Sequence, residues 1–139
     1  MDYEISCGAI VFTRKNNNIM YVIIKSTEGN YGFPKGHIEN NESYYETAKR
    51  EIMEEVGLNV EINTDFQTTE EYLLPNKKGI TKKNIYFISE YSNQELSFQK
   101  EELVGAFLMS FEDAMKVFQF ESLKRILKEA NDFINENLK

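Results

Sequence analysis

The chain has 139 residues, 41% of them hydrophobic and 28% charged, with a formal net charge of −7. That length fits one domain, residues 1–139, with enough apolar material to bury a core without disulfide staples. The acidic balance disfavours nucleic acid and other polyanionic surfaces as partners. No apolar run approaches the roughly 20 residues of a membrane span.

Cys7 is the only cysteine, so no internal disulfide can form, and the MDYEIS start lacks the basic and apolar regions of a signal peptide. A reducing, cytoplasmic setting is the expectation. In chain order, strands are expected at Ile5–Thr13 and Ile19–Ser26, joined by a turn at Asn16, Asn17 and Asn18. The loop EGNYGFPKGH follows, then a helix over Ser43–Val56 that Gly57 stops. Further strand signals fall at Val60–Ile62, Phe66–Leu74, Ile85–Tyr91 and Val104–Met109, with PNKKG (75–79) as a hairpin connection. Ser110 and Asp113 form a capping-box pattern for a short helix. A last helix spans about Glu121–Leu138, its apolar face made by Leu123, Ile126, Leu127, Ala130 and Ile134. A mixed β core with helices before and after it is an α/β layered domain.

On the 43–56 helix, a spacing of 100° per residue puts Tyr45, Ala48, Ile52 and Val56 on one stripe, expected to face the core. Glu51, Glu54 and Glu55 project together beside that stripe, and Arg50 lies four residues from both Glu46 and Glu54. This arrangement is locally unfavourable. Like charges at i,i+4 repel, and carboxylates in a last turn oppose the helix dipole by roughly 0.3–1 kcal/mol each. A divalent cation removes both penalties, because hard ions such as Mg²⁺ take carboxylate oxygens. An acidic cation site points in turn to phosphate chemistry. A Glu-rich helix face taken alone is usually just solvated surface.

The longer spacing decides between those readings. Gly36, then Glu42, then Arg50-Glu51-Ile52-x-Glu54-Glu55-x-Gly57-Leu58 reproduces the Nudix signature without a departure. Seven fixed positions at ordinary residue frequencies make a chance match on the order of 10⁻⁹ per start point. The chain therefore resembles the Nudix hydrolases. The resemblance implies an α/β/α sandwich around a mixed sheet and hydrolysis of a nucleoside diphosphate linked to another group, with Mg²⁺ or Mn²⁺ as cofactor. It implies Glu51, Glu54 and Glu55 as metal ligands, Arg50 as their orienting cation, a close backbone approach at Gly36 and a geometric role for Glu42.

SCGAIVF, GFPKGH, KKNIYFISEY and FESLKRILKEANDFI further resemble the asymmetric dinucleoside tetraphosphate hydrolases, the Nudix branch that cuts diadenosine tetraphosphate to ATP and AMP. That resemblance implies a small-molecule dinucleoside polyphosphate as partner. It also implies an extra glutamate outside the signature, as metal ligand or general base, for which Glu101 fits best, beside Glu102. The same residues also read as a plain polar loop. Lys35 and His37 are expected at the phosphates. Lys77, Lys78, Lys82 and Lys83 make a second basic cluster, of which Lys83 is the candidate to steer polyphosphate and Lys77 and Lys78 read as solvated hairpin. Tyr86 and Phe133 take the places of the rings that sandwich adenine, with Tyr31 as a third candidate, although Phe133 also continues the apolar face of its helix. The signature itself reads only metal and pyrophosphate. RNA 5′ ends, ADP-ribose, diphosphoinositol polyphosphates and oxidised nucleotides remain as other Nudix substrates, and the charge disfavours the inositol compounds and RNA. A non-catalytic nucleotide sensor is a further alternative, disfavoured because every signature glutamate is present.

Overall fold

The computed structural model describes residues 2–139. Ten elements follow in order: β1 (Asp2–Lys15), β2 (Asn18–Ser26), β3 (Tyr31–Gly32), β4 (Lys35–His37), α1 (Tyr44–Val56), β5 (Asn63–Leu73), β6 (Ile80–Glu90), β7 (Leu103–Met109), α2 (Phe111–Val117) and α3 (Glu121–Asn137). One sheet contains all seven strands in the order β3-β2-β1-β6-β5, with β4 added to β1 and β7 to β2. β1 and β6 run parallel and the other pairs antiparallel, so the sheet is mixed.

The layers follow from strand alternation, which sends neighbouring side chains to opposite faces. On one face Cys7, Ala9 and Val11 of β1 and Ile85 and Phe87 of β6 meet Ala48, Ile52 and Val56 of α1. On the other, Ile10, Phe12, Tyr86 and Ile88 meet Ala114 of α2 and Leu123, Ile126, Leu127, Ala130 and Ile134 of α3. The expected α/β/α sandwich is the observed one, and the five α3 positions read from its apolar period are all buried. No helix among the described residues is long and apolar enough to cross a membrane.

One edge of β1 is shared. Its N-terminal part pairs with β4 through Ser6–His37 and Gly8–Lys35, and its C-terminal part pairs with β2 through Phe12–Tyr21. Between these stretches β2 leaves β1 and takes up β3. That divergence opens the sheet in front of α1.

The elements differ from expectation where tertiary context overrides local pattern. Val60–Ile62 forms no strand, although Val60 is buried as an anchor of the α1-side core. β6 begins five residues earlier than Ile85, because its polar start (Thr81 to Asn84) is paired on both sides by β1 and β5 and lies half-buried or buried. Tyr45 is 52% exposed rather than core, while Thr47 and Glu55 are buried instead. Asn16 and Asn17 take positive φ in the two-residue β1–β2 turn, as that hairpin type requires. Ser43 and Glu46 form a full reciprocal capping box at α1, whereas Ser110 supplies only its own half of one at α2.

Candidate active site

α1 ends at Gly57, whose φ of 72° closes the helix through its N–H to Met53 O. The last turn carries no basic residue. Its free carbonyls are instead met by the loop that precedes β7: Ser97 N–H donates to Val56 O at 3.1 Å and Gln99 N–H to Glu55 O at 3.0 Å. This stitching brings the 92–102 loop to the acidic end of α1.

Arg50 organises the carboxylates. Its Nε and Nη2 donate to the two oxygens of Glu42 at 2.6 and 2.9 Å, and Nη2 also donates to His37 O at 2.9 Å. Nη1 reaches Glu51 at 2.6 Å and both oxygens of Glu54 at 3.1 and 3.0 Å. Glu42 further accepts from Glu39 N–H and from Thr47 Oγ1. The Arg50 guanidinium and these donors hold the Glu42 carboxyl down at about 2. Glu42 thus fixes the loop between β4 and α1 and orients Arg50, as its place at the helix entrance suggests.

The loop touches the carboxylates at Gly36. A Cβ there would lie 2.0 Å from the Glu51 carboxyl carbon, so only glycine lets β4 pass over it. Gly8 in turn lets the start of β4 lie close on β1, since a Cβ on it would meet Pro34 O at 1.9 Å. Glu55 is 7% exposed, and its Oε1 accepts from Lys35 N–H at 3.2 Å. Burial first, and the Glu51 charge second, push its pKa up to about 8. Burial also raises Glu51, against the pull of Arg50. Both carry negative charge from Glu102 as a further raising influence.

A cleft of about 700 Å³ opens beside Glu55, lined by Lys35 and Glu102 at that end and by Tyr31, Tyr72, Tyr86 and Phe120 among the residues beyond. Tyr72 and Phe120 are 47% and 51% exposed. Asn84, Glu70 and Ser122 also line it. Asn84 Nδ2 donates to Glu70 Oε1 at 2.9 Å and Ser122 Oγ to Glu70 Oε2 at 2.5 Å.

The structure brings Lys35, Gly36, Arg50, Glu51, Glu54 and Glu55 together, and separates other residues singled out by sequence. Glu102 lines the cleft, whereas Glu101 is exposed and does not, because the turn before β7 presents only one of the pair. Lys83 lies 5.7 Å from the centre of the Tyr3 ring, outside the cleft lining. By strand alternation its neighbour Lys82 shares the face of β6 that carries Asn84 and Tyr86 into the cleft; it stands beyond the lining itself, only 5% exposed, with Nζ donating to Ser6 Oγ at 2.6 Å and 3.2 Å from His37 Nε2. Burial, then the Lys35 charge, lowers Lys82 to about 8. His37 is exposed and also meets Glu4 at 2.9 Å, and Lys77 pairs with the same glutamate. Tyr86 does line the cleft, but it is buried edge-on against Phe33, ring centres 5.5 Å apart, so it offers no open face for stacking. Phe133 packs on Phe66 at the core margin, 5.3 Å between centres, and does not line the cleft. Tyr31, the third candidate, lines the cleft half-buried, and the more exposed rings there are Tyr72 and Phe120, which the sequence does not single out. Their signal was an aromatic at the polar end of a strand and another directly before a helix.

Among the described residues, no three acidic or imidazole groups already converge on one cation-sized point. Arg50 instead draws Glu51 and Glu54 together. The donor set nonetheless fits a hard divalent cation: Glu55 and Glu102 line one end of the cleft, Glu51 and Glu54 adjoin on the same helix, Glu51 and Glu55 are disfavoured as bare anions, and the absent side chain of Gly36 makes the room that the Glu51 carboxyl occupies.

Residues 2–130 match the NUDIX domain family. Over 139 aligned residues the chain is 29% identical to the mouse asymmetrical bis(5′-nucleosyl)-tetraphosphatase, covering 93% of this chain and 94% of that protein. It is 27% identical to the pig protein of the same name, with the same coverage. Among solved structures, the binary complex of the Caenorhabditis elegans Ap4A hydrolase superposes with a TM-score of 0.87 at 19% identity, over 96% of this chain and 98% of that one.

Proposed function

The chain belongs to the NUDIX domain family and is a Nudix hydrolase, and on that premise we propose that it hydrolyses dinucleoside polyphosphates asymmetrically, diadenosine tetraphosphate to ATP and AMP. The observation that carries this reading is the single cleft joining the carboxylate end of α1 and Lys35 to the exposed rings of Tyr72 and Phe120. Charged phosphates suit the first end and a flat base the second. The mouse and pig relatives, which align over 93% of the chain, are named for this activity.

Glu51, Glu54 and Glu55 are the residues to hold Mg²⁺ or Mn²⁺, with Glu102 in the place sequence gave to Glu101. Such a cation, when bound, neutralises phosphate charge and makes water a better nucleophile. Arg50 keeps the carboxylates oriented, and Glu42 keeps Arg50 in place. Lys35 and Lys82 supply positive charge at the β4 end of the cleft. A water oxygen attacks one phosphorus, the phosphoric anhydride bond breaks, and the departing phosphate takes its electron pair. Glu102, exposed within the cleft, accepts the proton lost by the attacking water.

Incubation with diadenosine tetraphosphate and Mg²⁺ in ¹⁸O-labelled water tests this. ATP and AMP, with label in only one of them, is the expected result and identifies the phosphorus attacked. Two molecules of ADP, or no product from folded protein, overturns the assignment.

A further inference from the structure

Asn84 is in an unusual position for an amide. It lies within β6, in register with Ser6 on one side and Glu70 on the other. Interior strand positions favour β-branched and aromatic residues and disfavour asparagine. It is 1% exposed and lines the cleft. Its orientation is fixed by chemistry. Glu70, which accepts from Asn84 Nδ2, is also engaged by Ser122 Oγ and the Tyr86 hydroxyl. An ionised carboxylate has only acceptors, so the amide nitrogen must face it and the amide oxygen must face elsewhere. That oxygen, Oδ1, is the buried side-chain polar atom left without a partner among the described residues. Buried acceptors are normally paired, so this one calls for a donor.

We infer that Asn84 determines base specificity: its Oδ1 accepts a hydrogen bond from an amino group on the edge of the substrate's nucleobase. The inference rests on the proposed function and names what that cleft selects. Phosphate oxygens accept and do not donate, so they cannot satisfy Oδ1. Position separates it from the phosphate end as well. His37, Ser6, Asn84 and Glu70 stand in one row across four strands, so Asn84 lies two strand spacings, about 10 Å, from β4. The exposed rings of Tyr72 and Phe120 line the cleft with it. The Tyr72 hydroxyl also hydrogen-bonds the Asn84 side chain while leaving Oδ1 unpaired, so a base held on that ring brings its amino group to Oδ1 as the donor. Adenine, cytosine and guanine carry such a group, and a purine with no exocyclic amine does not. Three donors on Glu70 hold the carboxylate still, and the carboxylate holds the amide, which is how a site is built to reject a ligand that lacks its partner.

The test is calorimetric binding of ATP, of purine-riboside 5′-triphosphate, which lacks the 6-amino group, and of 2′,3′-dideoxy-ATP, which lacks the ribose donors, in Mg²⁺ buffer. The expected result is that the wild type binds ATP at least tenfold more tightly than the amine-free analogue and binds dideoxy-ATP within threefold of ATP. Asn84→Val then binds ATP and the analogue alike. Equal affinity of the wild type for ATP and the amine-free analogue overturns the inference, as an ordered water at Oδ1 would produce. A loss confined to dideoxy-ATP also overturns it, by assigning Oδ1 to the ribose. The wild-type comparison stands without the variant if Asn84→Val fails to fold. Turnover of diadenosine tetraphosphate by the same preparation reports separately on the proposed function. Base discrimination without turnover counts against that function alone, and turnover without discrimination counts against Asn84 alone.

Discussion

Replacing Glu55 by glutamine should stabilise the cation-free protein while abolishing its turnover. Glu55 is buried, and its folded-state pKa of about 8 stands above the ordinary 4.5. The folded state therefore binds this proton more tightly than the unfolded state does. The stability linked to the proton is fully present below about pH 4.5 and is lost as pH climbs to about 8. At pH 7 the deficit relative to a neutral side chain is about 3 kcal/mol, and a folded pKa one unit lower gives nearly the same figure. Glutamine keeps the shape and the oxygen that accepts from Lys35 N–H, so little else changes. In EDTA, Glu55→Gln is expected to melt about 10 °C above wild type at pH 7 and only a few degrees above it at pH 5, at roughly 3 °C per kcal/mol for this length. Lys82 and the other titrating groups are common to both proteins and cancel in the difference. Adding Mg²⁺ should raise the wild type and leave the variant nearly unmoved, reversing the order. Melting curves that stay parallel from pH 5 to pH 8.5, or a variant less stable than wild type at pH 7 in EDTA, would refute the claim that burial holds this carboxyl against ionisation until a cation binds.

The neighbouring residues give sharper contrasts. Glu102→Gln should lower kcat on diadenosine tetraphosphate by at least a hundredfold while Glu101→Gln stays within threefold of wild type, measured by product release at saturating substrate. Lys82→Met should raise KM more than tenfold, and Lys83→Met should leave it within twofold, because only Lys82 is on the cleft side of β6. Gly36→Ala, which drives a methyl into the Glu51 carboxyl, should cost at least a hundredfold in kcat/KM, with a weaker Mg²⁺-induced rise in Tm than wild type as its second signature.

What sequence could show and what it could not divide along a physical line. Helical and signature spacing are local, so the acidic end of α1, the glycine that closes it and the apolar face of α3 were all legible. Glu101 against Glu102 was not, because the choice is made by two N–H groups of the 92–102 loop that cap α1, a contact across some forty residues of sequence. Lys82 against Lys83 turns on which face of β6 each occupies, and that phase was hidden by a polar strand start that only pairing with β1 and β5 makes a strand at all. The aromatic residues divide for the opposite reason. Tyr86 and Phe133 were chosen by place in a pattern, yet a ring that fills core cannot also present an open face. The molecule buries Tyr86 against Phe33, packs the half-buried Phe133 on Phe66 away from the cleft, and leaves Tyr72 and Phe120 exposed at the cleft. Exposure of an aromatic costs burial free energy unless something covers it. At Tyr72 and Phe120 that uncovered surface adjoins the one buried acceptor without a donor among the described residues. Two separate deficits in the protein alone, one apolar and one polar, thus meet in the cleft, and a flat ring bearing an amino group relieves both.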